Sequence, residues 1–102
     1  MEISLVLVTC PLGEIGKKIG DLLVTEGLAV CVNIVSGVDS IFRWQGKIQR
    51  ESESLLIIKT RTDNLKTLEN RLYAIHPYDT PEFVVLDPTM IGQKYLSWAL
   101  GA

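Results

Sequence analysis

Residues 5–8 (Leu-Val-Leu-Val) and 55–58 (Leu-Leu-Ile-Ile) are apolar at every position. Successive side chains of a strand point to opposite faces, so each run presents apolar groups on both. An antiparallel sheet with one wet face alternates apolar and polar residues instead. Residues 83–86 (Phe-Val-Val-Leu) repeat the two-faced pattern. A chain built on such strands needs cover for both sides of its sheet.

The elements that could supply the cover are few. A buried strand over residues 2–8 is followed by Thr9-Cys10-Pro11, read as a helix start because Thr caps and Pro is favoured in the first turn. Leu12, Ile15, Ile19, Leu22 and Leu23 follow at helical spacing, and Gly27 is placed to end that helix. A second strand covers residues 28–35, with a bend or bulge at Ser36-Gly37. Residues 40–60 then form one long hairpin with Gly46 at its tip, since Gly adopts positive φ without steric cost. Its outer arms carry Arg43, Trp44, Lys47 and Glu51, a poor composition for a core, so the tip projects. Thr62-Asp63 opens a second helix with Leu65, Leu68, Leu72 and Ile75 on one face, and His76-Pro77 stops it. A fourth strand at 83–86 and an amphipathic helix at 91–100 complete the chain. The order predicts an α+β fold, ferredoxin-like βαββαβ, with a long protruding hairpin between the second and third strands and a short C-terminal helix. Right-handed crossovers place both main helices on one face. No spare segment remains for the other, and its simplest cover is a second copy of the same sheet.

Composition agrees. The 102 residues make one domain, residues 1–102, long enough for a core without disulfides. Hydrophobic residues are 47% of the chain, high for so small a soluble domain and consistent with burial between copies. A net charge of −2 argues against nucleic acid as a partner. The N-terminal apolar run is too short for a signal peptide or a membrane span, and two cysteines make no disulfide framework. The expected location is the cytoplasm.

Several blocks together resemble one family. They are Ala29-Val30-Cys31-Val32-Asn33-Ile34, Ser40-Ile41-Phe42-Arg43-Trp44-Gln45-Gly46-Lys47-Ile48, Lys59-Thr60, His76-Pro77-Tyr78-Asp79-Thr80-Pro81-Glu82 and Tyr95-Leu96-Ser97-Trp98. In order and spacing they are similar to the CutA divalent-cation-tolerance family across essentially the whole chain. Phe42 stands where many members have Tyr, and Asp79-Thr80 where Glu-Val is commoner. The resemblance implies a homotrimer whose sheets pack around a three-fold axis, with hairpins reaching across to neighbours. It implies a structural likeness to PII-type nitrogen-regulatory trimers, binding of copper or other divalent ions by some members, and no enzymatic activity. It also implies that Trp44, Lys59, Tyr78, Glu82, Tyr95 and Trp98 gather at a cleft between protomers.

The reactive residue types keep two readings each. Cys10 is either a thiolate activated at a helix N-terminus or a small packing residue. Cys31, mid-strand among valines, reads as buried. His76, the one histidine, either ligates a metal or closes the second helix. Cys31 and His76, with Glu82 or Asp87, would offer a divalent metal, copper first, a mixed S, N and O set, although no metal-binding spacing motif is present. Lys59 and Glu82 either hold a small anionic or zwitterionic ligand or form a buried ion pair between protomers. The functions in view are a metal-tolerance trimer and a PII-like small-ligand sensor; an RNA-binding module lacks the basic-aromatic strand pattern.

Each large aliphatic side chain buried between copies contributes about 1.5–3 kcal/mol, and several together exceed an association cost of about 4–15 kcal/mol. Ile57→Asp is therefore expected to prevent folding or assembly and Trp44→Ala to loosen assembly, with circular dichroism and sedimentation equilibrium as the readouts.

Overall fold

In the computed structural model, which describes Met1–Ala102, nine residues of the first strand β1 (Ile3–Pro11) pair antiparallel with the third, β3 (Lys47–Arg61). β2 (Cys31–Trp44) flanks β3, and the short β4 (Val84–Leu86) flanks β1, giving the order β2-β3-β1-β4. Two helices, α1 (Ile15–Thr25) and α2 (Leu65–Ile75), follow β1 and β3, and α3 (Gln93–Gly101) ends the chain. The ferredoxin-like expectation holds, with every neighbouring strand antiparallel.

The two faces differ as the two-faced runs require. Val6, Val8, Cys10, Leu56 and Ile58 point to one side and pack with Ile19, Leu23, Leu68 and Leu72 of α1 and α2 in a single core. Leu5, Leu7, Leu55 and Ile57 alternate to the other side and are only partly covered. α3 covers one end of that second face. Ile3, two residues before Leu5 and on its side of β1, is 1% exposed, and Leu100 of α3 offers its carbonyl oxygen to the Arg61 guanidinium at 3.5 Å. Toward β4 and β2 the face is open: Val84 and Leu86 of β4 and Val35 of β2 are exposed.

Several local expectations are corrected. Pro11 is the last residue of β1, not part of a first helical turn, and α1 begins at Ile15. The stripe of α1 that meets the sheet contains Gly16 and Gly20 beside Ile19 and Leu23, whereas Leu12 and Leu22 face outward. Glycine lets the helix backbone approach closely: a Cβ at Gly16 would lie 3.3 Å from both Cys10 Sγ and Leu56 Cδ2. Thr62 and Asp63 do not cap α2. The Thr62 hydroxyl reaches the Met1 carbonyl at 2.6 Å and Ser4 Oγ at 2.7 Å, and Asp63 pairs with Arg61, so a 3₁₀ turn, Thr62–Asn64, leads into the helix instead. Cys31 is half-exposed rather than buried.

Other expectations hold. Gly27 (φ 73°) ends α1 with Leu28 N–H on the Leu23 carbonyl and its own N–H on Val24, the paired bonds of a Schellman end. At the hairpin tip Trp44 pairs with Lys47, and both loop residues have positive φ, Gln45 at 50° and Gly46 at 78°, which makes a type I′ turn. The register slips by one residue between Val35 and Val38, where Gly37 has φ 78°. That bulge keeps Val35 and Val38 on the same face of the ribbon, opposite Leu55 and Glu53. The hairpin stretches the molecule to 44 Å along its longest axis.

Gly16→Ala is expected to destabilise by about 1–3 kcal/mol, because Cys10 and Leu56 are fully buried and have no room to yield. Gly20→Ala meets Val32 at an ordinary 3.4 Å, so it should be neutral or stabilise by up to about 1 kcal/mol through helix propensity. Urea unfolding of the two variants tests the opposite signs.

Candidate functional site

β4 pairs with β1 only from Leu5 to Leu7, so β1 runs on alone along that edge to Pro11. The segment after α2 fills the place of the missing strand. His76, whose backbone N–H closes α2 on the Leu72 carbonyl, turns its ring to the sheet edge and sits 2.8 Å by Nε2 from the Thr9 carbonyl oxygen. The Tyr78 N–H donates to His76 Nδ1 at 3.0 Å. Both contacts require the neutral tautomer with its proton on Nε2, which donates to Thr9. The rings of His76 and Tyr78 lie 4.8 Å apart. Beyond them the Tyr78 hydroxyl donates to Glu53 Oε2 at 2.7 Å. Glu53 stands opposite Pro11 in the ladder and is 6% exposed.

The electrostatics of this corner are acidic. Burial, then the hydrogen bond to Glu53, push the Tyr78 phenol well above its ordinary range. Burial of its carboxyl, then the charge of Glu53, raise the pKa of Glu82, although the residue as a whole remains exposed. Burial and Glu53 likewise raise the Cys10 thiol, which is fully enclosed in the core. The packing reading of Cys10 therefore prevails, since a thiol in apolar surroundings and beside a carboxylate stays protonated.

At the opposite end of β1, Cys31 faces Lys59, which faces Leu5. Cys31 Sγ lies 3.9 Å from Asn33 Oδ1. Burial, then Cys31, raise the Tyr95 phenol, and the Tyr95 ring packs 5.5 Å from Trp98. Trp44 is at the hairpin tip, half-exposed.

Within the chain, then, most of the expected residues fall into three places. His76, Tyr78 and Glu82 share the β1 edge; Cys31, Lys59, Tyr95 and Trp98 share the α3 end; Trp44 is alone at the tip. Thr9 and Leu5 are four residues apart, about 13 Å along the strand, so Cys31 and His76 do not converge. Asp87 accepts a hydrogen bond from Ser4 Oγ at 3.3 Å. No group of three His, Cys, Asp or Glu side chains in the chain is arranged to hold a metal ion, and both His76 nitrogens are already engaged. Lys59 and Glu82 form no ion pair within the chain. Glu53 is the residue that sequence reasoning missed. It sits in the polar run 49–54, but its position two residues before Leu55 places it on the second face, which was the available signal.

Tyr78→Phe is expected to cost about 1–3 kcal/mol, by leaving the buried Glu53 carboxylate without its donor. For Glu82 the folded-state pKa is raised, so its contribution is most favourable below the ordinary glutamate pKa and is lost as pH rises through the raised value. Glu82→Gln should therefore gain on the parent as pH rises from about 4 to 7, as measured by thermal unfolding across that range.

Residues 4–101 match the family model described as CutA1 divalent ion tolerance protein. The chain is 50% identical over 93 residues to the protein CutA, chloroplastic, of Arabidopsis thaliana, a match covering 91% of this chain and 51% of that one. It is 45% identical over 95 residues to the divalent-cation tolerance protein CutA of Thermus thermophilus, covering 93% and 92%. The chain thus spans about half the length of the plant relative and nearly all of the bacterial one. Among solved structures, the Thermus protein superposes with a TM-score of 0.91 at 44% identity, over 94% of this chain and 93% of that one. The periplasmic divalent cation tolerance protein CutA of Archaeoglobus fulgidus superposes at 0.93 with 29% identity, over 97% and 96%. A model matched from residue 4 to residue 101, relatives near half identity and the same backbone throughout mean that this chain belongs to the CutA1 divalent ion tolerance family.

Proposed function

We propose that the chain acts in divalent-cation tolerance as a cytoplasmic homotrimer, with metal or a small ligand taken up where protomers meet. The observation that carries the reading is the second face of the sheet. Leu5, Leu7, Leu55, Ile57, Val84 and Leu86 share it, α3 covers only the Ile3 end, Tyr78 covers Glu53 at the Pro11 end, and the aliphatic stretch between stays partly or fully exposed. Aliphatic groups in such number on one sheet call for a partner. Trp44, Phe42 and Val38 continue the same face out along the hairpin, so one copy offers an apolar arm as well as an apolar sheet. Closed three-fold symmetry would use every such surface and leave none to propagate a filament.

The metal part of the reading rests on the family, whose description names divalent ions. The donors of one protomer do not form a set, so a copper or other divalent site requires residues from two chains. Cys31, Glu82 and Asp87 are the donors at the rims, Cys31 and Asp87 held only by long contacts to Asn33 and Ser4, while His76 would first have to give up the Thr9 carbonyl and the Tyr78 N–H. Small-ligand sensing at the same boundary is the second reading. It is supported by the Glu53–Tyr78–Glu82 corner and by Lys59 with the Tyr95–Trp98 pair, polar and aromatic groups left at opposite ends of the open face. The cytoplasmic placement is supported by two cysteines that form no disulfide.

Sedimentation equilibrium at low micromolar concentration should give three protomers per particle; a soluble monomer with native circular dichroism would refute the assembly. Calorimetric titration with Cu(II) should show binding of about micromolar Kd or weaker, and weaker still in Cys31→Ser with His76→Ala. Unchanged copper binding in that pair removes both residues from the site. Lys59→Ala should weaken any small-ligand binding, and wild-type stability with a wild-type ligand profile would leave Lys59 without a role.

A further inference from the structure

The ten residues Ile41–Arg50 contain three cations, Arg43, Lys47 and Arg50, and no Asp or Glu, in a chain of net charge −2. The hairpin register sorts them by face. Trp44, Lys47, Phe42 and Gln49 lie on the side that continues the open face of the sheet. Ile41, Arg43, Ile48 and Arg50 lie on the other, as the cross-strand pairs Ile41↔Arg50 and Arg43↔Ile48. On this side each isoleucine therefore has an arginine directly across from it and another, or another isoleucine, two residues along its own strand or on the diagonal. The result is a small checkerboard of apolar and guanidinium groups.

This checkerboard is continuous with the helix-covered face of β3, because Ile48, Arg50 and Ser52 have the same parity as Leu56 and Ile58. The helices stop short of it. Ile41 is 67% and Ile48 is 49% exposed, and both arginines are exposed. Neither Arg43 nor Arg50 takes part in any of the ion pairs. The nearest acid on that face, Asp39, accepts from Ser52 Oγ at 3.4 Å and leaves both guanidiniums free. Two free, fork-shaped donors flanking two exposed isoleucines fit a partner that carries carboxylates and aliphatic groups at matching spacing.

We propose that this face of the hairpin docks an extended acidic segment of a partner protein. In an extended chain alternate residues share a face and repeat at about 7 Å, the spacing of Ile41 and Arg43 on β2. A partner chain laid along the ribbon with an aliphatic residue and a carboxylate two positions apart therefore sets the aliphatic group over Ile41 and the carboxylate over Arg43, while Arg50 and Ile48 flank the same two groups from the neighbouring strand. The open face is not involved, so the proposal stands or falls separately from the trimer.

The test uses the full chain and a fluorescein-labelled peptide Glu-Ser-Leu-Ser-Glu-Ser-Leu-Ser, with a Lys-for-Glu peptide as the control. Fluorescence anisotropy should show the acidic peptide binding, the basic one not, and the affinity falling with added salt. The double variant Arg43→Glu, Arg50→Glu should lose about tenfold or more in affinity, or 1.4 kcal/mol, with an unchanged sedimentation profile; Ile48→Ser, which keeps both charges, should also weaken binding. Equal binding of the two peptides, or no binding, overturns the proposal. So does a smaller particle for the charge-reversed variant, which would make this face a contact between copies of the chain. Preferential binding to vesicles of mixed phosphatidylserine and phosphatidylcholine over the peptide would assign the face to a membrane surface and overturn it as well.

Discussion

The ladder between β1 and β3 is the constraint from which the rest of the molecule follows. From Ile3↔Arg61 to Pro11↔Glu53 it is unbroken, and it fixes the face of every side chain in the two central strands. A slip of β1 by one residue against β3 would send Val6 and Val8 out of the helical layer and put Leu5 and Leu7 in their place. Both sets are aliphatic, so hydrophobicity alone does not choose between them. Size does. Gly16 of α1 accepts Cys10 and Leu56 beneath it at 3.3 Å from where its Cβ would stand, and the small Cys10 of the observed face fits there. Hydroxyls at the other end reinforce the choice: Ser4 and Thr62 meet at 2.7 Å, and Thr60 reaches the Leu28 carbonyl at 2.8 Å.

How far the fold could be read from the residues depended on how local each determinant is. The strands were legible because a two-faced apolar run has no other stable use, and the hairpin tip because Gly46 follows a polar residue between two strand-like arms. The face of α1 was misjudged because leucine weighs heavily in any hydrophobic pattern and glycine not at all. Leu12 and Leu22 looked like core, while the surface that meets the sheet is made by Gly16 and Gly20. Pro11 fitted a helix start on its own, and only the length of its pairing with Glu53 makes it the end of a strand.

The candidate site was legible by residue type and hidden by geometry. His76, Tyr78 and Glu82 stood out, and the structure brings them to one corner. What His76 does there depends on where β4 stops, because the Thr9 carbonyl needs a donor only beyond the last β1–β4 pair. That is a property of two segments far apart in the chain, and no local spacing records it. Glu53 escaped notice for a related reason: a carboxylate in a polar run looks solvated until Tyr78, from another element, is laid over it.

The type I′ tip has a consequence for the order in which the molecule can form. From Trp44↔Lys47 to Cys31↔Lys59 the hairpin zips outward from a turn already preset by Gln45 and Gly46, each new pair closing only a small additional loop. The β1–β3 pairs, by contrast, join residues as distant as Ile3 and Arg61 and carry a much larger closure entropy at the outset. Hairpins form in about 1–10 μs, so β3 is available early as one edge of a finished ribbon, and β1 arrives at a template instead of a free coil. In a chain whose slow step is long-range pairing, the protruding arm shortens the conformational search of the very ladder on which the sheet depends.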